Sequence, residues 1–253
     1  LIENLSNLVL LACSFLLPDL CYRLFYLFVF RKKVKCVDTL KLYDYFRSGA
    51  AYRTRIALNL KELNYEQISV NLVKDGGEQF EESYDDINPQ NLVPTLVVGE
   101  QKLYQSMAIM EYLEEVFPDP SLLPVDQLGR ARVRALANMI ACDIHPLNNL
   151  RVRLYLVDEM NVSENNRRVW IEHWIRLGFK AYEKSILSDC ESSLFSYGDY
   201  PTMADVCLIP QIANARLNKV DLSDFPTILR VEEVCQAHPA FEKALPSNQA
   251  DAS

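Results

Sequence analysis

Residues 40–63, LKLYDYFRSGAAYRTRIALNLKEL, change their apolar rhythm partway along, and that change constrains the fold more than any other feature of the chain. Leu40, Leu42, Tyr43, Tyr45 and Phe46 are strand-prone, whereas Ile56, Ala57, Leu60 and Leu63 recur at the three- and four-residue spacing of one helix face. A strand therefore passes into a helix across Arg47-Ser48-Gly49, with Ser48 near the N-cap. A helix start presents unpaired N–H groups and a partial positive charge, which favour a bound anion by about 0.3–1 kcal/mol and lower the pKa of a nearby thiol. A plain capping role for Ser48 also accounts for the segment.

Two further junctions follow. Asn91-Leu92-Val93-Pro94-Thr95 leads through LVV and Gly99 to KLYQ, a hairpin whose first strand begins beside a proline that cannot donate to a ladder. Gln105-Ser106 then opens MAIMEYLEEVF, a second strand-to-helix junction suited to a carboxylate. The spacing predicts strands at 40–46 and Tyr65–Leu72, helices at Glu78–Ile87 and Ser106–Phe117, and the hairpin between them. This βαβ–ββα order suggests a thioredoxin-like half with a mixed sheet.

Pro118-Asp119-Pro120 through Pro124 reads as a linker, and beyond Asp126 the strand patterns vanish. Amphipathic runs from Asp126 to about Glu159, with a kink at Pro146, and from Ser163 to about Leu187 predict an all-helical second half. The fold class is thus α+β, divided into residues 39–119 and 125–253. Thr202-Met203-Ala204-Asp205 fits a capping box with Asp205 reaching back, a folding element with no chemistry assigned.

The formal charge is −8; residues 1–38 hold five Lys or Arg against three Asp or Glu, leaving 21 against 31, or −10, for the rest. That acidic body argues against nucleic-acid binding by general electrostatics. Seven cysteines, at 13, 21, 36, 142, 190, 207 and 235, are odd in number and form no CxxC pair. They point to a reducing, cytoplasmic setting, with neither a disulfide framework nor a metal site.

Residues 5–30 are mostly apolar but are interrupted by Pro18, Asp19 and Arg23 and followed by Arg31, Lys32, Lys33 and Lys35. A membrane span needs about 20 predominantly apolar residues, and a central Asp or Arg costs about 2.5–3.5 kcal/mol, so the span is marginal. Glu3 and the lack of a small-x-small site disfavour a secretory signal. Residues 1–38 are read as an extension outside the fold, with membrane contact only if that extension serves as an anchor.

The ordered set of strand, Ser48-x-x-x-Tyr52-Arg53-x-Arg55-Ile56-Ala57-Leu58 helix, Val93-Pro94-Thr95 before a hairpin, and Gln105-Ser106 opening a helix resembles the N-terminal domain of glutathione S-transferases. Within them it is similar to the zeta class, which includes maleylacetoacetate isomerases. NLVKDGGEQF, INPQNLVPTL, DIHPLNNLRV and PTMADVCLIPQIANA carry the likeness from about Leu40 to the C-terminus. The resemblance implies glutathione as cofactor, a small dianionic substrate and a homodimer. It also implies cis–trans isomerisation of maleylacetoacetate to fumarylacetoacetate, in tyrosine and phenylalanine catabolism, by thiolate addition, rotation and elimination.

Carried over by position, the resemblance makes Ser48 the catalytic hydroxyl facing the glutathione sulfur. The family pattern at this turn is Ser-Ser-Cys-x-Trp-Arg, whereas this chain has Ser48-Gly49-Ala50-Ala51-Tyr52-Arg53; the thiolate must then come from glutathione itself. The γ-glutamyl group falls to Gln105 and Ser106, the cysteinyl backbone to Val93 and the glycyl end to Gln79. His145 stands where the family often has Gln, with Asn149 and Arg151 following, and is read either as a glutathione contact or as a partly buried side chain. Arg47 and Arg216 are the substrate candidates, although the family's usual arginine falls at Leu217 and neighbouring helix residues face about 100° apart. Two alternatives stay open: a zeta-like transferase or isomerase acting on another small acid such as maleylpyruvate or a haloacid, and a non-catalytic module that binds a protein partner.

Overall fold

The computed structural model describes residues 39–189 and 193–252. The apolar segment 1–38, and every expectation about it, lies outside them. Among the described residues no helix is long and apolar enough to cross a membrane.

One sheet of order β2-β1-β3-β4 organises the first half. β1 (Leu40–Asp44) runs parallel to β2 (Tyr65–Ser69), Leu40 opposite Tyr65, and antiparallel to β3 (Thr95–Val98), Leu40 opposite Val98. β4 (Gln101–Tyr104) closes the hairpin with β3, and Gly99 turns it at φ +59°. α1 (Gly49–Leu60) starts at Ser48, whose Oγ accepts the Ala51 N–H at 3.3 Å. Leu40, Leu42 and Leu96 from the sheet join Tyr52, Ile56 and Ala57 of α1 in one core. Tyr45, Val70, Tyr84 and Val93 form a smaller second cluster.

The helix expected at 78–87 is absent as a unit. Two 3-10 turns, Lys74–Gly76 and Glu78–Phe80, precede a single turn of helix, α2 (Glu82–Asp85). Gly77 at φ +109° and Glu81, extended at ψ 144°, interrupt the helical path. β2 also ends at Ser69, short of Leu72, although the Val70 N–H still donates to the Asp44 carbonyl at 2.7 Å. α3 (Ser106–Val116) follows Gln105, and Val93–Pro94 is cis.

Beyond residue 118 the described residues form helices and connecting turns, with no strand. Leu122 and Leu123 of the proline-rich connection are buried in the shared core, so this stretch is packed structure. The expected long run from 126 to 159 divides into α4 (Gln127–Asn138), a π turn at Met139–Ile144, a 3-10 turn at Pro146–Asn148 and α5 (Leu150–Asp158). The departure from regular helix therefore begins in the π turn, ahead of Pro146. α6 (Glu164–Asp189), α7 (Met203–Leu217), α8 (Pro226–Gln236) and α9 (Pro239–Ala244) complete the fold. α7 is buried from Met203 to Ile212 and packs against α1 and α4. At its start the Thr202 N–H donates to Asp205 Oδ2 at 2.8 Å, the reciprocal arm of a capping box.

Arg55 bolts these parts together. Its Nη1 donates to both Asp44 oxygens at 2.8 and 2.7 Å, its Nη2 to the Phe46 carbonyl at 3.1 Å and its Nε to the Ala244 carbonyl at 3.2 Å. Both side chains are fully buried. Asp44→Asn would leave that guanidinium uncompensated, and loss of one partner from such a pair costs about 3–5 kcal/mol. Urea unfolding of the Asp44→Asn protein should show a loss of that size; a loss under about 1 kcal/mol would contradict the role given to this pair.

Candidate functional site

A cavity of about 550 Å³ opens beside the turn that follows β1. Its walls come from that turn (Arg47, Ser48, Gly49), the 3-10 segment (Gln79, Phe80), the loop before β3 (Gln90, Val93), the turn at His145 and α5 (Arg151, Arg153), with Leu217 at the end of α7. A larger cavity of about 940 Å³, lined by Leu63, Pro124, Tyr200 and Pro239 among others, holds none of the residues assigned to glutathione or substrate from the sequence.

Ser48 marks the floor. Its Oγ accepts one hydrogen bond from Ala51 and keeps its own proton to give, while the N–H groups of Gly49 and Ala50 have no acceptor among the described residues. A hydroxyl and two unpaired N–H groups at a helix start suit an anion. This geometry lets Ser48 cap the helix and face a ligand at once.

Gln79 has lost its solvent without gaining a partner: it is buried, and its Oε1 makes no hydrogen bond. Gly77 makes room for it, since a Cβ there would lie 2.4 Å from the Gln79 amide nitrogen. The Asn91 side-chain amide holds the Gln79 carbonyl at 2.9 Å, and Tyr84 Oη and the Asn88 amide hold the Leu92 carbonyl at 2.6 and 2.8 Å. These bonds fix the loop that carries Val93, which lies outside the β3 ladder and keeps its backbone for a ligand. An orphaned amide oxygen beside a backbone outside the ladder fits a peptide-like cofactor.

His145 is brought to the cavity by the π turn, its N–H bonded to the Ile140 carbonyl five residues back at 2.9 Å. A Cβ on Gly49 would sit 3.4 Å from both Cε1 and Nδ1 of the ring, so imidazole and helix start are in contact. Burial, and then the charges of Arg53 and Arg153, push its pKa down to about 3. The ring is neutral at physiological pH.

Arg47, Ser48, Gln79, Val93, His145, Asn149 and Arg151 thus all line one cavity. Gln105 and Ser106 adjoin it: Gln105, at φ +70°, donates through Nε2 to Oε1 of the lining residue Gln90 at 2.7 Å, and Ser106 is the buried first residue of α3. Arg216 is elsewhere. It is held by Glu232 of α8, Nε to Oε1 at 2.9 Å and Nη2 to Oε2, and its neighbour Leu217 is the residue that faces the cavity. Arg153 was not singled out in the sequence. Reading 126–159 as one kinked helix misplaces the faces of α5, whose register is reset at Asn149.

Residues 38–115 match the family model described as "Glutathione S-transferase, N-terminal domain". The maleylacetoacetate isomerase of Pseudomonas aeruginosa is 46% identical over 84% of this chain and 98% of its own length. A holo maleyl pyruvate isomerase, described as a bacterial glutathione S-transferase in the zeta class, superposes with a TM-score of 0.82 at 46% identity, covering 84% of this chain and all of that one. A maleylacetoacetate isomerase from Methylobacterium extorquens AM1 with bound malonate and glutathione gives 0.80 at 36% identity, over 84% of this chain and 99% of the other.

The neutral imidazole has a pH signature. Between its folded pKa of about 3 and its ordinary 6.5 the unfolded chain binds the extra proton, so stability is full above pH 6.5 and is lost as pH falls toward 3. His145→Gln should therefore flatten the decline of Tm between pH 6.5 and 4.5 in calorimetric scans. An unchanged decline would mean that the folded protein protonates the ring freely.

Proposed function

Because the chain belongs to the zeta class of the glutathione S-transferase family, we propose that it catalyses the glutathione-dependent cis–trans isomerisation of maleylacetoacetate to fumarylacetoacetate. The single observation that carries this reading is the cavity that joins Ser48, at an open helix start, to Arg47, Arg151 and Arg153 in an otherwise acidic chain.

Gln79 and the Val93 backbone hold the peptide of glutathione, Gln105 and Ser106 take its γ-glutamyl group, and Asn149 and Arg151 approach from the helical side. When bound, glutathione supplies a thiolate that adds reversibly to the activated double bond and so frees it to rotate. Ser48 donates its hydroxyl proton toward the sulfur, and the Gly49 and Ala50 N–H groups add the field of the helix start. Both interactions favour the charged sulfur. Neutral His145 covers this end of the cavity without a charge of its own, so it does not compete for the substrate's carboxylates. The arginines supply the local positive potential that a small dianion needs to enter a protein of net charge −8.

In this reading residues 39–119 bind glutathione, residues 125–253 complete the substrate site, and the protein works as a cytoplasmic homodimer. Leu217 favours one second reading. An apolar, exposed residue on the cavity wall suits a different small acid, and maleylpyruvate, the acid named for the relative of TM-score 0.82, comes first.

The experiment is glutathione-dependent isomerisation of maleylacetone and maleylpyruvate followed by absorbance. Ser48→Ala should lower kcat about 10-fold with little change in glutathione affinity, because the lost hydrogen bond matters most to the charged sulfur. Full activity in Ser48→Ala would leave the residue as a cap alone. No turnover of either acid by the unaltered protein would refute the proposal.

A further inference from the structure

Most buried or half-buried arginines of the described chain have an acidic partner. Arg55 has Asp44, Arg134 has Glu111, Arg167 has Glu164 and Arg176 has Asp224, while the fully buried Arg53, whose Nε also lacks an acceptor, does not line the cavity. Arg153 has none: no hydrogen bond or ion pair joins its side chain to any described residue, and its Nε is buried without an acceptor. Burial, followed by the like charge of Arg167, lowers its pKa against the smaller opposing effect of Glu164, which pairs with Arg167. Asp158 and Glu159 lie on the same cavity but are exposed and do not reach it. A cation withdrawn from water with its donors unfilled is costly unless an anion completes it.

Where that anion would sit follows from the neighbours. Arg153 lines the 550 Å³ cavity, and its charge acts on His145, the ring in contact with Gly49 beside Ser48. The guanidinium and the sulfur end of the site therefore open onto one cavity. Glutathione carries its carboxylates at the two ends of the tripeptide, with the thiol on the middle residue, so neither carboxylate is suited to this position. Leu217, which also lines the cavity, offers no charge, and Arg216 is neutralised by Glu232.

We propose that Arg153 binds the substrate carboxylate attached to the reacting double bond. The assignment rests on the isomerase reading for its reaction, whereas the anion contact itself does not. A planar fork of donors meets a carboxylate in two parallel bonds, which fixes the double bond in place as well as attracting it. Arg47, exposed on the cavity rim, is then free for the second carboxylate.

The test uses malonate, glutathione and maleylacetone, which has only the conjugated carboxylate. In calorimetric titration of the glutathione-loaded protein, Arg153→Gln should weaken malonate binding at least 10-fold while the Kd for glutathione stays within twofold. For maleylacetone the same change should raise KM about 10- to 100-fold with a smaller effect on kcat, as loss of a charge-assisted bond predicts. Arg153→Lys, which keeps the charge, should recover part of the malonate affinity, and Arg216→Gln should leave it unaltered. Unchanged malonate binding in Arg153→Gln overturns the proposal, as does a loss of glutathione affinity with malonate unaffected, which would give the arginine to the cofactor. An effect on maleylpyruvate with none on maleylacetone would also overturn it, by moving the contact to the second carboxylate. If the wild type binds malonate through Arg153 yet turns over neither acid, the anion site stands and the isomerase reading falls.

Discussion

The buried pair of Asp44 and Arg55 sets the geometry on which the site depends. The arginine is on α1, its carboxylate partner ends β1, its second acceptor is the Phe46 carbonyl in the turn between them, and its third is the end of α9. Gln67 of β2 adds a bond to the same carboxylate at 2.8 Å. All three guanidinium nitrogens and both carboxylate oxygens are engaged, which is the condition under which a buried ion pair is tolerated. One guanidinium thereby fixes the angle between strand and helix, and with it the direction in which Ser48 and the open N–H groups face. The C-terminal helix, remote in sequence, is part of that support.

Charge is distributed unevenly around this frame. The chain is acidic overall, yet three arginines line one cavity, and the candidate expected from the α7 sequence is turned away into an ion pair with α8. The same residue type thus does two jobs within one protein, and the deciding variable is whether an acidic side chain stands within reach. Arg216 has Glu232, and Arg153 has only another arginine and an occupied glutamate nearby.

The strand-to-helix switch at 40–60 was legible because period and composition change together at Ser48, and the hairpin and α3 were legible because Pro94, Gly99 and the Gln105-Ser106 junction punctuate them. The capping box before α7 was legible for the same local reason. What failed was non-local or depended on single backbone angles. Residues 78–87 carry helix-forming side chains, but Gly77 and an extended Glu81 divide them into turns. In the run from 126 to 159 the amphipathic pattern continues through a π turn that shifts every later face, so His145 was found through its motif and Arg153 was missed. Arg216 was misplaced because a helix residue's facing depends on the partner packed against it, and nothing in IANARLNKV announces Glu232.

The contact between Gly49 and His145 ties two distant positions into a single heritable unit. A methyl group at 49 would just touch the ring at 3.4 Å, and an atom placed beyond it on that side would need the ring's volume. A serine at 49 and an imidazole at 145 therefore compete for one space, on segments nearly a hundred residues apart. Descent with substitution at either position alone passes through a crowded or hollowed intermediate. Lineages should hold the two residues as a pair, and a graft of another protein's first turn onto this scaffold must carry its counterpart at 145 along with it.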